Sequence, residues 1–154
     1  LKLIPKPKFT KAYMGIFPSV DDAMNAVFKS LASGANPVAM EFMDSLVVHA
    51  LKEKIGVELP EDAGALLVGD VDGNVIEEVE FQLSVLEKSF KENKAQEFII
   101  ADEGANRDKL WHARRNASPS VTIYGNKKLN EDISVPRSKL PEALNSIYAI
   151  GDKY

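Results

Sequence analysis

Arg114 and Ser118 stand four residues apart, and Trp111 and Arg107 are spaced so that a helix would gather all four on one side. A guanidinium presents a planar fork that grips a carboxylate through two parallel hydrogen bonds. A hydroxyl one turn further on could orient another oxygen of the same molecule. The chemistry within reach of this spacing is the holding of a small organic acid. Arg115 adjoins Arg114 and could share that task. On spacing alone the plainer assignment comes first, with Trp111 as a core anchor and the arginines as solvated charges, because any helix can produce such spacing.

Other polar residues carry weaker signals. If residues 132–135 are extended, Asp132 and Ser134 project from one side and Ile133 and Val135 from the other. That pattern suits the polar wall of a site, and equally a strand with one wet face. Glu41 interrupts an apolar strand, either as an exposed carboxylate or as a partner for an arginine such as Arg114 when no acid is bound. The run Gly69-Asp70-Val71-Asp72-Gly73-Asn74 lacks the ligand series and distal glutamate of an EF-hand, so it reads as a strand-to-helix turn. His49 and His112 lie far apart without partners at ligand spacing, and His49 is expected as a partly buried helix histidine. With no cysteine in the chain, disulfides, thiolate nucleophiles and cysteine-based metal sites are excluded. There is no Gly-rich phosphate loop, nucleophile elbow or nucleic-acid module. No catalytic, cofactor-binding or metal-binding residue is assigned within the chain.

The elements that must position these residues follow from periodicity. Residues 11–17 alternate as a strand, with Ala12, Met14 and Ile16 on one face. Ser19 followed by Asp22 caps a helix bearing Val20, Met24, Val27, Phe28 and Leu31, which Gly34 ends. Residues 37–43 form a second strand, with Val38, Met40 and Phe42 opposite Ala39, Glu41 and Met43. Asp44 caps a helix through Leu46, Val47, Ala50, Leu51 and Ile55, ended by Gly56. The apolar run at 63–71 is a central strand. A long helix follows, with a stripe of Ile76, Val79, Leu83, Leu86 and Phe90. A fourth strand spans 97–101, and Asp102 opens the helix bearing Trp111, which Pro119 ends or kinks. The order predicts an α+β, ferredoxin-like split βαβ fold, with an antiparallel sheet and two main helices on one face. An extra helix, strand and helix over residues 102–154 complete it.

The chain of 154 residues is 45% hydrophobic and 27% charged, which suits one soluble core. Its net charge of -4 argues against nucleic acid as a partner. The lysines at 2, 6, 8 and 11 lie among Pro5 and Pro7, as in an extended linker. No targeting segment is visible, a cytoplasmic setting is the default, and Leu1-Lys2-Leu3-Ile4-Pro5 reads as the middle of a longer polypeptide.

Three segments occur in a telling order: Glu41-Phe42-Met43-Asp44, then Leu110-Trp111-His112-Ala113-Arg114-Arg115-Asn116-Ala117, then Glu131-Asp132-Ile133-Ser134-Val135-Pro136-Arg137. With them the chain resembles the C-terminal cap region of FAD-linked oxidases, the group of glycolate oxidase flavin subunits and D-lactate dehydrogenases. The resemblance spans nearly the whole chain but only a middle portion of the family's length. It implies a fragment of a flavoprotein that oxidises a small D-2-hydroxy acid, inactive alone. FAD would belong to the parent protein, and metal use is left open. Residues 1–10 would be a linker from a missing flavin-binding domain and residues 11–154 a partial substrate domain. In this family a Trp-x-x-Arg helix supplies an arginine for the substrate carboxylate, with a hydroxyl residue one turn later in some members. Arg114 and Ser118 match those positions, and Arg115 is the neighbour.

Some members place a lysine just ahead of the later Asp-x-Ser-x-Pro strand. That place falls at or near Asn130, which speaks against a second cationic contact and a dicarboxylate preference. The family also carries a His-x-Gly-Asp-Gly-Asn-x-His segment beyond the position of Tyr154. The resemblance implies as partners the missing flavin domain, a small 2-hydroxy acid and, through other subunits, a membrane. A cut strand edge at 132–135, with Ile133, Val135, Leu140, Leu144 and Ile147, is expected to recruit a second copy as a homodimer. The alternative is a stand-alone ferredoxin-like module that binds a small ligand, regulates or oligomerises.

Overall fold

The computed structural model describes residues 5–55, 58–102, 104–128 and 130–153. Gly56 as a helix terminator, residues 1–4 of the expected linker and Tyr154 lie outside the described residues. The elements run β1 (Phe9–Phe17), α1 (Val20–Ala32), β2 (Ala39–Met43), α2 (Ser45–Ile55), β3 (Ala65–Gly73), α3 (Ile76–Glu92), β4 (Glu97–Ala101), α4 (Ala105–Ser120) and α5 (Leu140–Gly151). Short 3₁₀ turns occupy Val121–Tyr124 and Arg137–Lys139.

The sheet order is β2-β3-β1-β4, and every neighbouring pair is antiparallel. β1 and β2 therefore run parallel with β3 between them, and β3 and β4 run parallel with β1 between them. These are the two interleaved split βαβ units of the predicted ferredoxin-like fold. On one face, α1 and α3 bury Met24, Val79, Leu83, Leu86 and Phe90 against Tyr13, Phe17, Leu67 and Val71. The two main helices share a face as expected, but the other face is covered as well. There α2 and α4 bring Val48, Leu51, Leu110, Ala113 and Ala117 onto Met14, Ile16, Met43, Leu66 and Val68. Both central strands are thus buried on both sides, which explains why β3 is apolar from Ala65 to Val71 apart from Asp70.

Local signals in the sequence have visible physical counterparts. The Ser19 hydroxyl oxygen accepts the Asp22 amide at 3.1 Å and its proton goes to the Asp22 carboxylate at 2.6 Å. That bond, then Lys94, holds the Asp22 carboxyl below its ordinary range. A cap of this kind contributes about 1 kcal/mol. Gly34 follows the end of α1 at φ +97° and donates to the Leu31 carbonyl at 3.2 Å. Asp44 caps α2, its Oδ1 accepting the Val47 amide at 3.0 Å. Gly15 faces the Phe90 ring, where an added Cβ would come within 2.6 Å of Phe90 Cε2. The opening of α4 differs from expectation. Gly104, at φ +94°, is its cap residue, and Asp102 instead pairs with Lys11 at 3.2 Å. Pro119 ends α4 within one residue.

The predicted strand at 132–135 is not formed: the segment has no regular structure, and Asp132, Ile133 and Ser134 are exposed. The chain leaves the α2–α4 face, where the Tyr124 hydroxyl donates to the Leu46 carbonyl at 2.9 Å. It arrives on the opposite face, where Leu140 and Leu144 pack against the first core. A segment crossing between faces does not run alongside an edge strand, and two apolar residues supply little burial to hold it there. α5 is fastened at its far end by the Tyr148 hydroxyl, which donates to Asp44 Oδ2 at 3.1 Å. Burial first, and then the Asp44 charge, pushes the Tyr148 phenol up to about 12. Among the described residues no helix is long and apolar enough to cross a membrane.

Candidate functional site

α4 lies across the second face of the sheet and is tied to it by side chains at three successive positions on its inner side. Asp70, in the middle of β3, is 7% exposed and has alanine on both cross-strand sides, Ala12 and Ala39. Those small neighbours leave a recess above the strand. Arg107 enters it and grips the carboxylate with Nε at 3.2 Å and with a terminal nitrogen, while Trp111 Nε1 donates to the same carboxylate at 2.9 Å. The Arg107 guanidinium also lies 5.8 Å from the centroid of the Trp111 ring. Burial first, and then the Asp70 charge, raises the nearby Tyr13 phenol well above its ordinary range.

One turn beyond Trp111, Arg114 Nε donates to Glu41 Oε2 at 2.8 Å. Glu41 is on the Ala39–Met43 side of β2 that faces α4, so the predicted division of that strand into two faces holds. The two side chains are about two-fifths exposed, and a pair so open to solvent contributes roughly 1 kcal/mol or less. Since the bond uses Nε, both terminal amino groups of the fork remain available to a carboxylate.

Arg114, Ser118, Glu41 and Lys128 line one open cavity of about 290 Å³, with Phe42, Met43, Val47, Ala117 and Val121 as its apolar walls. Lys128 Nζ bonds the Ser118 hydroxyl and donates to the Ser118 carbonyl at 3.1 Å. It thereby caps the negative end of α4 while bringing a second cation beside Arg114. The sequence departs from the family's lysine at or near Asn130, which put a second cationic contact in doubt. Lys128 lies two positions earlier and is carried back to the helix by the turn at Val121–Tyr124.

The structure brings Arg114, Ser118 and Glu41 together and leaves other candidates elsewhere. Arg115 points outward, with one terminal nitrogen donating to the Asp108 carbonyl at 2.8 Å. It lines a separate shallow hollow with Lys109 and His112. Asp132 and Ser134 are exposed on the crossing segment. His49, expected to be partly buried, is exposed on α2 with its ring 6.2 Å from that of Tyr124. Among the described residues no group of three or more histidines, aspartates or glutamates is placed to hold a metal ion. Asp70 is the residue that sequence reasoning missed. The Gly69–Asn74 run, expected to be a strand-to-helix turn, is strand through Gly73, and only Asn74 and Val75 lead into α3; nothing in the run marked this aspartate as buried.

The profile of one protein family, FAD linked oxidases, C-terminal domain, matches residues 6–154. The chain is 32% identical over 157 aligned positions to the glycolate oxidase subunit GlcD of Escherichia coli K12, covering all of this chain and 31% of that protein. It is 28% identical to the GlcD subunit of Bacillus subtilis, again over the whole chain and 33% of the relative. A probable mitochondrial D-lactate dehydrogenase of Danio rerio is 26% identical over 94% of the chain and 29% of its own length. The chain thus spans about a third of the length of these curated relatives.

Proposed function

Because the chain belongs to the family of FAD-linked oxidase C-terminal domains, we propose that it forms the substrate side of a flavoprotein oxidising a small D-2-hydroxy acid of the glycolate or D-lactate kind. The observation that carries this reading is the convergence of Arg114, Ser118 and Lys128 on one cavity of about 290 Å³. That volume is at the small end of ligand pockets and suits a short acid, not a dinucleotide. These residues do not fit a flavin, so FAD would be held outside them. In the whole protein the flavin would supply the hydride acceptor.

Within this chain, the Arg114 fork takes the substrate carboxylate and Ser118 orients an oxygen, which fixes how the reacting carbon is presented. Lys128 adds positive charge, and α4 holds Arg114 and Ser118 in step because it is itself anchored through Asp70. Arg115, on the outer side of the helix, is assigned no contact. Residues 1–10 serve in this reading as a linker to the flavin-binding portion and residues 11–154 as part of the substrate domain, in a cytoplasmic protein that meets a membrane only through partner subunits.

The 154-residue chain, purified by itself, is expected to be colourless and unable to oxidise glycolate or D-lactate with a dye acceptor. Stoichiometric yellow flavin together with turnover would overturn this assignment. Self-association is a separate part of the proposal. Ile133, Ile147 and Ile150 are 66%, 47% and 60% exposed around α5, although Leu140 and Leu144 are packed down. Light scattering across protein concentration should show a homodimer, weakened by Ile147→Lys. A monomer at every concentration would rule it out.

A further inference from the structure

We infer that Glu41 sets the charge selectivity of the Arg114 cavity, restricting it to acids that carry a single negative charge. This inference rests on the carboxylate-clamp reading and adds to it a residue whose effect is on which acid is taken. Two formal positive charges line the cavity, Arg114 and Lys128, and one negative charge, Glu41. The remainder is one positive charge, which a monocarboxylate neutralises. The adjoining hollow shares Val47, Val121 and Lys128 with the cavity and adds Asp44 and Lys127, one charge of each sign, so the balance does not change.

The geometry gives Glu41 this effect without blocking the site. It meets Arg114 at Nε, at 2.8 Å, and leaves the terminal fork for the ligand. A bound monocarboxylate and Glu41 then share the two cations. A second carboxylate on the same ligand would have to lie in a small cavity where no cation is left over, with Glu41 among its walls. Lys128 alone would therefore be a misleading sign of a dicarboxylate site, since its charge is already balanced.

The test uses the complete flavoprotein containing this chain, with D-lactate as the monocarboxylate and D-malate as the dicarboxylate. The quantity read is the ratio of kcat/KM for D-malate to kcat/KM for D-lactate. Being a ratio within one preparation, it is independent of the fraction folded. Glu41→Gln should raise it about tenfold, Lys128→Met should lower it by about as much, and the double substitution should return it to the starting value. The shifts should shrink as ionic strength rises. An unchanged ratio in Glu41→Gln, or equal loss for both acids, would overturn the inference, the latter making Glu41 a mere aligner of Arg114. Failure of the clamp reading looks different: Arg114→Ala would then leave both acids unaffected.

Discussion

Replacing Arg114 by alanine in the complete flavoprotein is expected to cut kcat/KM for its hydroxy acid by roughly 10²-fold or more. A carboxylate clamp that becomes shielded from water on closure contributes about 2–5 kcal/mol to transition-state binding. Within this chain Arg114 is about two-fifths exposed, and the large effect depends on the rest of the protein closing over the cavity. Stability should hardly change, because the Glu41 pair that is lost is a solvent-exposed one. Arg115→Ala, on the outer side of α4, should be much milder. Steady-state kinetics on both variants, alongside thermal melts, check the assignment. It fails if both retain near-normal kinetics while folded.

The second large effect is on stability. Asp70→Ala should destabilise the domain by about 2–4 kcal/mol, because it takes the carboxylate away from the Arg107 guanidinium and the Trp111 indole N–H above an apolar strand. The cost stays below that of a fully buried pair because the Arg107 side chain is 35% exposed. For a chain of this size such a loss lowers Tm by roughly 5–15 °C. Asp70→Asn keeps an acceptor for one of the two donors and should cost less. Urea or thermal unfolding of the two variants measures both values, and unaltered midpoints would show that α4 does not depend on this carboxylate.

Most of the fold was legible because its signals are local or periodic. Ser19 with Asp22, Asp44 before α2, Gly34 after α1 and the alternation of β1 each act within a few residues, so sequence order is enough to read them. Arg114 and Ser118 were legible in the same way, since helical spacing places them together. What escaped depends on contacts made across the fold. Asp70 looks like any other residue of its turn-like run until Arg107, 37 positions later, is laid over it. Lys128 acquires its place only because the chain folds back on the end of α4. The error at 132–135 has the same origin. Alternating polar and apolar residues describe a strand only where a neighbouring edge is in reach, and this segment crosses from one face to the other instead.

Trp111 is the single tryptophan of the chain, fixed by Asp70 through its ring nitrogen and set one helical turn before Arg114. The ultraviolet emission of the domain is therefore that of one indole on the helix that carries Arg114, with no other indole to mask it. Anything that lifts or tightens α4 changes how much water that ring meets, and so the colour of its light. The same bond that anchors the helix makes the domain its own optical gauge of how that helix sits.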